Sequence, residues 1–102
     1  MRGYKLLRLR KDGTLGPLFI NRTQRIPVGT WLRASAHPTK GYAFRPGWHG
    51  TLTPDAPHLR QGGDRVWAEV EFRGAKLYLR PKSQGGTWIL AKEMRVNALH
   101  LA

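Results

Sequence analysis

Between His37 and His58 the chain reads HPTKGYAFRPGWHGTLTPDAPH, a stretch that no long regular element can cross. Pro38, Pro46, Pro54 and Pro57 each fix φ and remove a backbone donor. Gly41, Gly47 and Gly50 open conformations that other residues avoid. The fold must therefore be assembled from the segments on either side. An irregular stretch this long in a small domain is uncommon, and is usually functional or disordered. Tyr42, Phe44 and Trp48 favour the functional alternative, because disordered segments are poor in aromatics.

The flanking segments read as strands. Tyr4–Arg10 alternates, with Leu7 and Leu9 on one face and Arg8 and Arg10 on the other. Asp12-Gly13 marks a turn into a short strand over Leu15–Ile20. Ile26–Arg33 is expected at an edge because of Pro27. The cleanest alternation is Arg65–Arg73, with Val66, Ala68, Val70 and Phe72 on one side and Trp67, Glu69 and Glu71 on the other. Arg73-Gly74 reads as a tight turn, after which Ala75–Arg80 returns with Ala75, Leu77 and Leu79 inward. Thr87–Ala91 is another strand, Lys92-Glu93-Met94 a turn or helical turn, and Arg95–Leu101 a final strand. The expectation is a mainly β fold, with α+β as the alternative. It is a single compact domain over residues 1–102, of six or seven short, mostly antiparallel strands with a long central loop and little helix. Two packed sheets or a partial barrel would satisfy it. Trp31, Trp48, Trp67 and Trp88 suit the core, each with an N–H that needs an acceptor.

Charge narrows the function. Eighteen Lys and Arg face six Asp and Glu, a net charge of +12. Residues 1–33 carry eight basic groups and one acid, so the excess is concentrated toward the N-terminal end. Such a field attracts nucleic acid, nucleotides or acidic protein surfaces. The absence of cysteine excludes disulfides, thiolate zinc sites and thiol catalysis, and fits a cytoplasmic protein. No apolar run approaches the ~18 residues of a membrane span, so no membrane partner is expected. The basic N-terminus lacks the apolar core of a signal peptide.

Catalytic chemistry has little to build on. His37, His49 and His58 are spaced unlike any zinc signature, and no metal or cofactor is expected. Ser35 and Ser83 sit in no nucleophile elbow. Glu69 and Glu71 share a strand face about 7 Å apart, and cross-strand ion pairing accounts for them. Basic groups interleaved with rings are better represented. Lys40, Tyr42, Arg45, Trp48 and His49 form a combination that can stack a base and hold a phosphate. Arg45 is held extended by Pro46. Arg8, Arg10, Arg22 and Arg25 extend the electrostatic footprint.

The segments HPTKGYAFRPGWHGT, APHL, RVWAEVE and SQGGTWILAKEM, with GYKLLRLRKDGTLGPLFINR and IPVGTWL before them, resemble a family of small uncharacterised phage and prophage proteins with an RPGWH motif. The likeness covers nearly the whole chain and implies a viral or mobile-element context. A second, weaker likeness joins the Gly-Trp-His-x-Thr pattern and the strand Arg65–Glu71 to ADP-ribosyltransferase-like folds. It implies that His49 and Thr51 help bind a nucleotide. The catalytic Glu of those folds would fall near Gly86 or Thr87, neither of which is acidic, so the likeness implies binding without turnover.

Three functions follow as expectations. The first is a basic binding protein that engages nucleic acid or a nucleotide through the central loop. The second is a phage protein that docks on an acidic host protein and inhibits host defence. The third is a nucleotide-acting enzyme using His49 and Arg45.

Overall fold

In the computed structural model, residues 1–18, 24–34, 47–56 and 63–100 are described. They form six strands: β1 Arg2–Leu9, β2 Leu15–Gly16, β3 Trp31–Arg33, β4 Trp48–Thr51, β5 Arg65–Leu79 and β6 Thr87–Leu99. A single 3-10 turn, Lys82–Gln84, joins β5 to β6. The mainly β, antiparallel fold expected from the sequence is the one adopted.

β5 and β6 organise the sheet. β5 pairs with β1 along its first half, from Arg8↔Arg65 to Arg2↔Glu71. On its other side it pairs with β6, from Ala68↔Leu99 to Leu79↔Thr87. β6 then pairs with β4, from Trp48↔Ala91 to Thr51↔Trp88, and further along with β3, from Trp31↔Arg95 to Arg33↔Glu93. β4 returns to β1 through Tyr4↔Thr51. The pairing β1–β5–β6–β4–β1 thus closes on itself. β2 and β3 extend it at its margins, and one parallel bridge joins Val28 to Val96. Closure removes exposed strand edges wherever the ring is complete.

Strand alternation divides the apolar residues into two sets. Leu7, Trp48, Ala68, Val70, Phe72, Ile89, Met94 and Val96 fill the inside. Leu6, Trp67 and Trp88 pack with Leu18 and Ala56 in a second cluster, with Tyr4 and Tyr78 against it. Leu6 and Leu7 are neighbours on β1, so successive side chains serve opposite faces. The inside leaves no room at two glycines. A Cβ on Gly3 would lie 2.8 Å from Ile89 Cδ1, and one on Gly50 would lie 2.8 Å from Phe72 Cε2. Trp48, Trp67 and Trp88 are buried as expected. Trp31 is half-buried on edge strand β3, with the Arg73 guanidinium 3.7 Å from its ring centroid and that of Arg95 at 5.0 Å.

Four sequence expectations are corrected. The central segment is not loop throughout, since Trp48–Thr51 forms β4 between β1 and β6. Arg73-Gly74 does not turn the chain, because β5 runs through it for 15 residues. Likewise Lys92-Glu93-Met94 lies within the 13 residues of β6. Gly74, at φ 61, acts as a bend. Phe72 and Met94 pair with both side chains in the core, and three residues on Ala75 and Ala91 pair with both on the core side again. Strict alternation would need a step of two or four residues. Both strands therefore change their inward face at the Gly74 bend. The real reversal lies at Lys82–Gln84, followed by Gly85 and Gly86 at φ 101 and 77. Leu77 and Leu79 stay on the face of Ala75, with Leu77 opposite the buried Ile89, but β1 no longer lies alongside to cover them. Both were expected inward, and they are 53% and 82% exposed.

Candidate functional site

Of the ten residues singled out from the sequence, Lys40, Tyr42, Arg45 and Arg22 lie outside the described residues. Of the other six, Trp48, His49 and Thr51 lie on β4 and Arg8 on β1, while Arg10 follows β1 and Arg25 lies between β2 and β3. Trp48 faces inward, and its indole N–H donates to the Leu32 carbonyl at 3.0 Å. Its ring is therefore core and is not presented for stacking. Thr51 is also buried, and its hydroxyl donates to the Thr53 carbonyl at 2.6 Å. Between them His49 is half-buried on the face opposite Trp48, with Nδ1 2.7 Å from the Tyr78 hydroxyl and the two rings edge to face at 5.7 Å.

The N-terminal cations are engaged locally. Arg8 Nε lies 3.2 Å from Asp64. Arg10 donates to the carbonyls of Leu15 at 2.9 Å and Gln24 at 3.0 Å, tying β2 to the chain that follows. Arg25 lies 3.3 Å from Asp12, whose carboxyl is held down to about 2, first by hydrogen bonds from Thr14 and then by Arg25. Glu71 accepts from Asn97 at 3.0 Å and Arg95 at 2.9 Å, which lower its pKa. Arg73 pairs with Glu93 at 3.2 Å. The carboxylates thus neutralise particular arginines. Exposed Lys11, Lys76, Lys82 and Lys92 have no carboxylate within ion-pair distance among the described residues.

Sequence reading missed the residues that meet His49. The register sets Tyr4 opposite Thr51, Thr51 opposite Trp88, and Trp88 opposite Tyr78. This makes one row of side chains across β1, β4, β6 and β5, outside the ring. Tyr4 stands edge to face with His100 at 5.4 Å, as Tyr78 does with His49. The Arg80 guanidinium lies over Trp88, 4.4 Å from the ring centroid, and 6.0 Å from that of Tyr78. Lys5 donates to the His49 carbonyl at 2.7 Å. Burial, and then the charge of Arg80, lower the Lys5 ammonium to about 8. Only the cross-strand register brings these residues together, from positions as far apart as 4 and 100. The local pattern of any one strand gives no sign of it.

The row offers half-exposed ring surface, a fixed guanidinium and nearby lysines. It can bind a flat group carrying negative charge. For metal binding there is no basis among the described residues, where no three His, Asp or Glu side chains gather. No helix among them is long and apolar enough to cross a membrane. No family model matches the chain, and no curated protein or solved structure gives a match.

Proposed function

We propose that the protein is a small basic binding protein that engages nucleic acid or a nucleotide on the outer face of the ring. The observation that carries this reading is the Arg80 guanidinium stacked over Trp88 beside the His49–Tyr78 pair. It fixes a cation at the margin of a row of half-exposed rings. Bases stack on Tyr4 and Tyr78, and Arg80 neutralises phosphate. Arg45 precedes His49 by four residues. It counts with Arg80 among the cations proposed to neutralise phosphate. On this reading the protein acts in the cytoplasm of a phage host.

The test is fluorescence anisotropy with labelled oligothymidylate and oligouridylate, and with ATP as competitor. The wild-type protein is expected to bind, and Tyr78→Ala and Arg80→Ala to weaken binding by about tenfold or more, in line with the stacking contribution of one base. No binding at low salt, or binding that both variants leave intact, would sink the proposal.

A further inference from the structure

Among the described residues, the distal half of β5 has a neighbour on one side only. β1 follows β5 as far as Arg2↔Glu71, and Met1 and Phe72 then exchange main-chain hydrogen bonds of 3.0 and 2.7 Å. Beyond Phe72, β5 continues to Leu79, paired among the described strands with β6 alone. The Arg80 amide donates to the Gly86 carbonyl at 2.6 Å. Counting back by the two-residue period of an antiparallel pair, Leu79 and Leu77 aim their peptide groups away from β6. Their side chains are 53% exposed for Leu77 and 82% for Leu79. Lys76 is exposed on the opposite face of the same strand, with Arg80 half-buried beyond it.

We infer that this edge accepts an extended acidic peptide as an added antiparallel or parallel strand. The inference does not rest on the nucleic-acid reading, although Arg80 serves both. Main-chain bonds to Leu77 and Leu79 would supply the affinity, as in other strand additions. Alternation in the incoming strand sets its chemistry. Aliphatic residues lie beside Leu77 and Leu79 on one face, and carboxylates lie beside Lys76 and Arg80 on the other. A second copy of this chain is the competing occupant. Two chains of net charge +12 repel, and edge-to-edge pairing would crowd their lysines together. Edge cations commonly deter self-association. The cations that do so here select an acidic strand.

The experiment titrates the full chain with a fluorescein-labelled peptide of seven alternating glutamates and leucines, and follows hydrogen exchange. Expected results are saturable binding, slowed exchange at the Leu77 and Leu79 amides, and no binding of the version with lysine in place of glutamate. Leu79→Pro removes one outward N–H at an edge that tolerates proline, and is expected to weaken the peptide about tenfold or more while oligothymidylate binding is unchanged. Should Leu79→Pro fail to fold, Leu77→Ser/Leu79→Ser, altered only at exposed side chains, is expected to weaken the peptide as well. Four outcomes overturn the inference: equal binding of the lysine peptide, binding that leaves both amides unprotected, a concentration-dependent dimer that occupies the edge, or oligothymidylate protecting the same amides.

Discussion

Gly50 lacks a side chain because Phe72 occupies the space beside it. Gly50→Ala is expected to destabilise the fold by about 1–3 kcal/mol, the usual cost of forcing extra volume into a packed core, read as a lower urea midpoint at unchanged slope. A neutral result would show that Phe72 can move aside. This residue also explains why the sequence of β4 resembles a loop. In Trp48–Thr51 the inward positions hold a tryptophan and a glycine, and the outward ones a histidine and a threonine. A glycine chosen for space resembles one chosen for a turn, and the prolines nearby supported the wrong choice. Lys5 makes a second prediction at this scale. Its folded pKa, about 8, lies below the ordinary 10.5, so between these values the folded chain holds fewer protons than the unfolded chain. The destabilisation from burying its charge is complete below pH 8 and is relieved as pH rises toward 10.5. The melting temperature of Lys5→Met minus that of wild type should therefore be highest below pH 8 and fall across that window. A difference that does not vary with pH would contradict the burial of this charge.

At the scale of elements, the long β5–β6 pair depends on its bend. Gly74 sits at φ 61, and a Cβ there would meet Lys92 Cβ at 3.1 Å. Gly74→Ala should cost about 1–2 kcal/mol through the left-handed conformation alone. Gly74→Asn should cost less, because asparagine visits that region more readily. Urea unfolding of the two variants checks the order, and alanine proving the milder change would show that the bend does not need it. The alternation of Val66 to Phe72 was legible, as was the strand over Thr87–Ala91. Their continuation was not. Arg73-Gly74 and Lys92-Glu93-Met94 break the period because both strands change faces there, and a broken period looks the same as a turn when the partner strand is unknown. The ion pairing expected of Glu71 was readable in part, since strand propensity put it on a polar face. Its actual partners, Arg95 and Asn97, come from the register. Between Glu69 and Val70 that register slips, leaving Asn97 as the extra residue of a bulge beside the carboxylate it contacts.

For the whole molecule, the net charge of +12 is the most informative global feature of the sequence. Arg8, Arg10 and Arg25 serve the fold, whereas the uncompensated lysines include Lys76, Lys82 and Lys92 on or beside the β5–β6 pair. If the proposed surface contacts about four phosphates of a single strand, the logarithm of the binding constant should fall against that of salt concentration with a slope near −3. A flat dependence would remove phosphate neutralisation from the mechanism. Charge-neutralising changes at Lys76 and Lys82 should lower that slope more than changes at Arg8 and Arg25. The ring has one more consequence, for the order in which the chain becomes a protein. β1 pairs with β5, and contacts such as Met1 to Phe72 span 71 positions. During synthesis the apolar face of β1, Leu7 above all, has among the described strands only β2 and the short β4 to pair with until β5 has emerged. Nucleation must then close a long loop before most pairings form, which favours slow folding. A nascent chain stalled before Arg65 should be protease-sensitive over β1, and protection should appear abruptly once β6 clears the ribosome.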